Sequence, residues 1–397
     1  MTVRTLLLFL VGSRRAIVDV ASSRWLLLVG FLLVVSAGFA RYYDSAYLAT
    51  EWTVLLRGVG VSVFNSFVLY LLAVVFVFRP QPDIGSRYLS FLGLFWMTAP
   101  MAWLYAIPYE RFLTPIDAVH ANAWTLAFVS VWRVLLITRI LSILLGVSAA
   151  ALLFPVLFFS DVAVYIASLT APQPIFDLMG GLHLTEIERE ISRAAFVTQV
   201  YSMLAIPGLF IATLVAAGFA KRTAPLPITP SPAIPKPLLG FALISIGVWI
   251  PILIAVQPEQ RLRFRTEEAL RAGRVDEAIA EMSSRIRADY PPVWDPPPRL
   301  LYEETLPTMT SVREGLLKQR AADWVRELFL EKSRTKLARS FGFSFNSQPI
   351  ENLVEQLKAQ KVPDLSVLRF HLEFDPDVSA SDRLAMQKAL DSDFKAK

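Results

Sequence analysis

Residues 238–271 read LLGFALISIGVWIPILIAVQPEQRLRFRTEEALR. The first part, 238–256, carries no charge, and from Glu259 onward nearly every second residue is charged. An α-helix rises 1.5 Å per residue, so about 20 apolar residues cross the roughly 30 Å of hydrocarbon in a bilayer. This stretch therefore reads as the last crossing of a membrane domain running directly into a water-facing one.

Working outward, the same criterion picks out 25–40, 58–78, 88–107, 122–138, 147–169 and 195–220. The first is short, and Arg24 and Arg41 at its ends can snorkel to either interface. Residues 122–169 are too long for one crossing, so they are split around 139–146, read as a short interfacial link. The run Leu6–Val11, followed by Arg14 and Arg15, is too short to span and reads as interfacial. The expected fold class is an all-α polytopic membrane bundle of about seven transmembrane helices over 1–256. A mostly helical soluble domain with a small strand element is expected over 257–397.

Composition supports a membrane class. Of 397 residues, 54% are hydrophobic and 18% charged, with a mean hydropathy of +0.48. An ordinary soluble domain carries about 25% charge. Disorder, collagen-like repeats and small disulfide scaffolds are excluded. The absence of cysteine removes disulfides, thiolate metal sites and a cysteine nucleophile. Net charge is +5, yet residues 257–397 hold 23 basic and 23 acidic residues, so the excess lies in the membrane loops. The basic character is therefore no signature of nucleic-acid binding, and no nucleic-acid partner is expected.

Orientation follows from basic residues in short loops. With the N-terminus in the cytoplasm, one side holds Arg4, Arg14, Arg15, Arg24, Arg79, Arg87, Arg139, Lys221, Arg222 and Lys236, and the other Arg41, Arg57, Arg111, Arg189 and Arg193. Ten against five favours this reading, and an odd number of spans then places the C-terminal domain outside the cytoplasm. Arg261, Arg263 and Arg265, just past the last span, run against that placement. The expected location is the plasma (inner) membrane of a bacterium. Ser36–Ala40 also has the form of a signal-peptide cleavage site, but the basic segment before it is long and further spans follow, so a start anchor fits better.

Prolines mark two boundaries. Those at 225, 227, 230, 232, 235 and 237 suit an extended polyproline II spacer between the sixth and seventh spans. Those at 291, 292, 296, 297 and 298 surround Trp294 and interrupt the tail. Before them, Glu267–Ala288 reads as two helices meeting at Gly273. The run Leu270 to Met282 (LRAGRVDEAIAEM), with Tyr290-Pro291 after it, resembles the second half of a tetratricopeptide-type hairpin over about 265–292. That resemblance implies a protein-binding surface when repeats are stacked; here the first helix is truncated and no second copy follows at a 34-residue period. Ser311–Ala338 reads as one amphipathic helix, with Leu317, Ala321, Trp324, Val325 and Leu328 on its stripe. Residues 341–346 and 366–374 alternate like strands, 349–360 reads as a helix, and Ser381–Leu390 as a closing helix.

Catalytic motifs are thin. Gly58-Val-Gly60 lacks the third glycine of a dinucleotide loop, and Ser62 and Ser148 each lack the last glycine of a nucleophile elbow. His120, His183 and His371 lie in three separate regions, so no metal site and no cofactor is expected. Two ionisable residues fall inside spans, where each is costly and a functional candidate by default: Arg133 and Asp161. Arg133 sits about 9 Å along the helix from Arg139, so it reads as close to the inner face and able to snorkel to headgroups. Asp161 falls in the outer half. Glu110, Arg111, Asp117 and His120 gather on the loop between spans three and four, where they form either a solvated surface or an acid–base cluster. Gly208, Ala212, Ala216 and Ala220 recur every four residues and allow close helix packing, inside the bundle or between copies in a homo-oligomer. The expected activity is non-enzymatic: a membrane anchor presenting residues 257–397 to a protein partner, with the lipid bilayer as the other partner. A small-solute permease is the alternative and a membrane-embedded enzyme the third reading.

Overall fold

The computed structural model describes residues 2–77, 84–169, 186–222, 234–292, 294–298 and 307–341, together with Glu373, Phe374, Ala380, Arg383, Leu384, Gln387 and Lys388. Among them the fold is all-helical, with no strand and one isolated bridge between Val147 and Arg222. Six helices are long and apolar enough to cross a membrane: Thr53–Phe76, Ile84–Arg111, Pro115–Leu145, Ala149–Ser168, Arg189–Phe219 and Lys236–Arg271. Leu26–Tyr42 is similarly apolar but spans only 17 residues. The expected strands at 341–346 and 366–374 lie outside the described residues, apart from helical Phe341, Glu373 and Phe374. The helix expected at 349–360 also falls outside, as do most of the closing helix at 381–390 and of the proline-rich spacer.

The chain divides into two compact units, Met1–Pro172 with Glu190–Gln257, and Gln173–Arg189 with Pro258–Lys397. The first begins with two short helices, α1 (Val3–Leu10) and α2 (Arg14–Ala21). Thr2 and Thr5 cap α1 reciprocally: each side-chain oxygen accepts the other's backbone N–H, at 3.3 and 3.1 Å. Gly12, at φ +77°, turns the chain between the two helices, a conformation glycine adopts without steric cost. Leu6 and Phe9 of α1 and Ile17 and Val20 of α2 are buried in the core of this unit, while Leu7, Leu8 and Val11 of the run read as interfacial are exposed.

The bundle continues with α3 (Leu26–Tyr42), the single turn α4 (Leu48–Glu51), α5 (Thr53–Val77) and α6 (Ile84–Trp96), followed by 3-10 segments Ala99–Ala106 and Tyr109–Arg111. It is completed by α7 (Pro115–Leu145), α8 (Ala149–Ser168), α9 (Glu186–Phe219) and α10 (Lys236–Gly247). Helices α3 and α6 cross closely: a Cβ on Gly30 would meet the Trp96 Cβ at 2.9 Å, and one on Gly93 would meet Leu26 Cγ at 2.4 Å. Small residues that let backbones approach are the usual basis of helix association in lipid. Polar side chains stitch the same bundle. Trp249 Nε1 donates to Ser36 Oγ at 3.1 Å, Ser36 Oγ donates to the Ser245 carbonyl at 3.0 Å, and Trp96 Nε1 donates to Ser62 Oγ at 2.9 Å.

The α7–α8 connection corrects the reading of 139–146 as a link. Thr114 caps α7 with Pro115 at its first turn, and the helix runs on through Arg139 to end at Gly146, left-handed at φ +68°. Ile140, Leu141, Ile143, Leu144 and Leu145 are buried in the core, which is why helix rather than a loose link persists there. Apolar content and a glycine cap prevail over the charge of Arg139.

Helix α11 (Trp249–Arg271) carries the chain from the apolar stretch into the second unit. There Gly273, at φ +74°, turns into α12 (Val275–Ser283). The single amphipathic helix read over 311–338 is two, α13 (Met309–Lys318) and α14 (Asp323–Phe341), separated at Arg320 with φ +47°. The break lets Val312 and Leu316 on one side and Val325 and Phe329 on the other join one buried cluster with Ile279 and Met282. A straight helix could not fold both segments back onto α12.

Candidate functional site

Arg133 stands on α7, about 27 Å of helix from Pro115 and about 18 Å from Leu145. Helix α7 continues past Arg139 to Leu145, so Arg133 stands within the helix rather than in its last turns. Its Cζ lies 5.2 Å from the centroid of the Phe95 ring, within cation–π range. Its Nε is buried and makes no hydrogen bond. The neighbouring Trp132 reaches across to α1, its Nε1 donating to the Leu10 carbonyl at 2.8 Å.

Asp161 stands on α8 and faces α9. Ser202 Oγ donates to its Oδ1 at 2.8 Å, while Oδ2 is buried with no donor. Gln199, one turn before Ser202, also has a buried, unpartnered Oε1. Arg133 and Asp161 are thus set in different surroundings, and no ion pair joins them. The inward face of α9 is polar, with Ser192, Ser202 and Thr213 buried, while Tyr201, Leu204, Ile211 and Phe219 point outward. That is the reverse of a soluble amphipathic helix and the arrangement lipid favours.

The four residues of the 108–120 loop do not converge on one centre. Asn122 Nδ2 donates to Glu110 Oε1 at 2.7 Å, Thr114 Oγ1 donates to Asp117 Oδ2 at 2.6 Å, and His120 Nε2 lies 3.9 Å from Glu190 Oε2. All four are exposed. A carboxylate that the sequence reading passed over joins them. Burial pushes Asp44 above the ordinary carboxylate range; its own backbone hydrogen bond opposes this, and the Glu110 charge adds to it. Tyr43 beside it is pushed up to about 12, first by burial and then by Asp44. Its hydroxyl donates to the Ala106 carbonyl at 3.0 Å. Gln257 ties the same corner together: its Nε2 donates to the carbonyls of Tyr43 and Ala46 at 2.9 and 3.0 Å, and its Oε1 accepts from Leu48 N at 2.9 Å. A glutamine directly after an apolar run was the available signal for this corner.

Among the described residues, no close helix crossing forms at Gly208 on the small-residue face of α9. A Cβ on Gly208 would meet nothing within 4 Å, Ala212 and Ala216 are half-buried, and Ala220 borders an apolar cleft. His183 and His371 lie outside the described residues. Among the described residues no group of three His, Asp or Glu side chains is placed to hold a metal ion.

In the second unit the notable cluster is structural. Glu267 is buried, accepts from Trp294 Nε1 at 3.1 Å, and pairs with Arg271 at 2.9 Å and Arg263 at 3.4 Å. Trp294 stacks on Tyr290 with centroids 4.4 Å apart. Buried Lys332 pairs with Asp295 and donates to the carbonyls of Pro296 and Pro298. Ile286, Leu317 and Leu384 are exposed large apolar side chains here. Compared with known protein families, curated proteins and solved structures, the chain matches none.

Proposed function

We propose that the chain is a multi-pass membrane protein whose residues 1–256 anchor a soluble helical domain, 257–397, that recruits a protein partner. The observation that carries this reading is a separate second core, built from α11–α14 around Tyr290 and Trp294 and beginning within the helix that leaves the apolar stretch. Exposed Ile286 and Leu317, with Leu384, supply apolar contact points. In this reading the 17-residue helix Leu26–Tyr42 is the first of seven crossings, the N-terminus is cytoplasmic and the helical domain lies outside the cytoplasm. Photo-crosslinking from Ile286 and Leu317 in the full chain, in intact cells, tests it. A protein adduct lost when the photoreactive group is moved to a buried position is expected. Adducts with lipid only, or none, would overturn the reading.

A second reading has its own support. Arg133 and Asp161 each keep a buried polar atom without a partner inside apolar helices, as the walls of a permease for a small charged solute would. Uptake in a solute screen should fall with Arg133→Gln or Asp161→Asn. Unchanged uptake across the screen would remove this alternative.

A further inference from the structure

Apart from Arg4 and Thr5 near its start, helix α1 is apolar on every side. Leu6 and Phe9 fill the core of the first unit, while Leu7 and Val11 leave 60% and 69% of their surface uncovered, with Val3 and Leu8 exposed beside them. At eight residues the helix is about 12 Å long, too short to cross a bilayer. Its last four carbonyls are nevertheless all satisfied. Those of Leu7, Leu8 and Phe9 accept from the N–H groups of Val11, Ser13 and Gly12 at 3.2, 3.0 and 2.8 Å. That of Leu10 accepts from the Trp132 indole of α7 at 2.8 Å. A helix end facing water leaves such carbonyls to the solvent, whereas in hydrocarbon each unpaired one is costly.

Helix α7 supplies a ruler for depth. Around Trp132 it exposes Phe128, Val131 and Leu135, an outward apolar belt on a helix long enough to span. The first exposed charge after them is Arg139, whose stem lies against the turn between α1 and α2: a Cβ on Gly12 would meet Arg139 Cγ at 3.6 Å. The hairpin changes character at the same turn. Exposed Val11 precedes it, and exposed Arg14, Arg15 and Asp19 follow on α2, while Ala16, Ile17 and Val20 hold α2 to the core. Apolar surface thus gives way to charge at one level on both elements, as it does at a headgroup boundary. Among the described residues, no ion pair engages Arg14, Arg15 or Arg139.

We propose that the α1–α2 hairpin is a docking surface for an anionic phospholipid leaflet, with Leu7, Leu8 and Val11 among the acyl chains and Arg14, Arg15 and Arg139 at the level of the phosphates. Attraction between exposed arginines and a negative leaflet acts through the summed field and needs no fixed guanidinium geometry. Arg4, the charge on α1, has a stem long enough to snorkel to the same level. The inference rests on unit one lying in a membrane.

The test uses the full chain, which has no cysteine, in liposomes of equimolar phosphatidylglycerol and phosphatidylcholine with identical acyl chains. Flotation with the liposomes comes first, and its failure would strike the membrane reading rather than this one. Nitroxide labels are then placed singly through Leu7→Cys, Asp19→Cys and, as the depth reference, Val131→Cys. Their relaxation by oxygen and by a water-soluble nickel chelate is compared. Labels at 7 and 131 should respond to oxygen over the chelate, and the label at 19 to the chelate over oxygen. A label at 7 that favours the chelate, or one shielded from both as a second copy or a protein partner would shield it, would overturn the proposal. For the charge, a bimane at position 7 is quenched by phospholipid brominated on its acyl chains, with either lipid carrying the bromine in turn. The local excess of phosphatidylglycerol should be at least about fivefold, the preference that one basic residue near the surface confers. Arg14→Gln with Arg15→Gln should remove most of that excess. Equal quenching by the two lipids with both arginines present, or an excess untouched by their loss, would equally overturn it.

Discussion

The two units treat buried charge in opposite ways. In the second, Glu267 is buried but accepts from Trp294 and is flanked by Arg263 and Arg271, and Lys332 is met by Asp295 and two proline carbonyls. In the first, Arg133 has only the face of Phe95, and Asp161 has one hydroxyl donor for two oxygens. A group buried from water and left unpaired costs more than it returns, so such groups persist where a role holds them. The contrast separates charges that build a core from charges that a core tolerates.

The largest expected effect breaks the paired side. Glu267→Leu removes the buried carboxylate that pairs with Arg263 and Arg271 and accepts from the Trp294 indole N–H, and should destabilise the second unit by about 3 kcal/mol. Arg271 is partly exposed and keeps water, which limits the loss. Denaturant titration followed by tryptophan fluorescence measures it, and a loss under about 1 kcal/mol would show the pairing to be dispensable.

Next comes a pair of glycines in the first unit. Gly93→Val drives a side chain into Leu26 and should cost about 1–3 kcal/mol, whereas Gly208→Val meets open space and should change stability by less than about 0.5 kcal/mol. Melting of the two variants in one detergent compares them directly. If Gly208→Val proves the worse of the two, or dissociates an oligomer seen in cross-linking, the α9 face is a contact between copies.

The charged comparison can then be made with one substitution on each side. Lys332→Met removes the donor to two buried carbonyls and should cost about 1–3 kcal/mol, while Arg133→Met should be neutral or stabilising. Equal losses would mean that Arg133 is paired after all.

The smallest effect concerns pH at the Tyr43 corner. Tyr43 is raised to about 12 in the folded chain, against an ordinary tyrosine near 10. A raised value means that the folded state holds the proton more tightly, so this contribution is present below the unfolded value and is lost as pH climbs through about 12. Asp44 is raised as well, chiefly by burial, so its ionisation opposes folding above the unfolded carboxylate range, and Asp44→Asn should stabilise at neutral pH. Melting temperature against pH for both proteins checks the sign.

Much of the helical architecture was legible because hydropathy and length speak for lipid-length helices, and because Gly273, read as the meeting point of two helices, does turn the chain at φ +74°. The α13–α14 break was not legible, since Gln319 and Arg320 are ordinary helix formers and only the shared cluster around Ile279 calls for the turn. Nor was the Gly30–Gly93 crossing, because two glycines 63 positions apart form no pattern in one dimension. The candidate site was half legible. Arg133 and Asp161 stand out as charges in apolar runs, but partners such as Ser202 and Phe95 come from other helices.

The proposed topology is tested most directly through the missing cysteines. Ser284→Cys places a thiol on the exposed end of α12, and Lys221→Cys places one just past α9. Intact cells are treated with a membrane-impermeant maleimide. Labelling at position 284 with position 221 silent until lysis is the predicted result, and it puts the helical unit across the membrane from the Lys221 loop. The reverse pattern, or a 284 thiol that reacts only after lysis, contradicts seven crossings and the proposed side of the second unit.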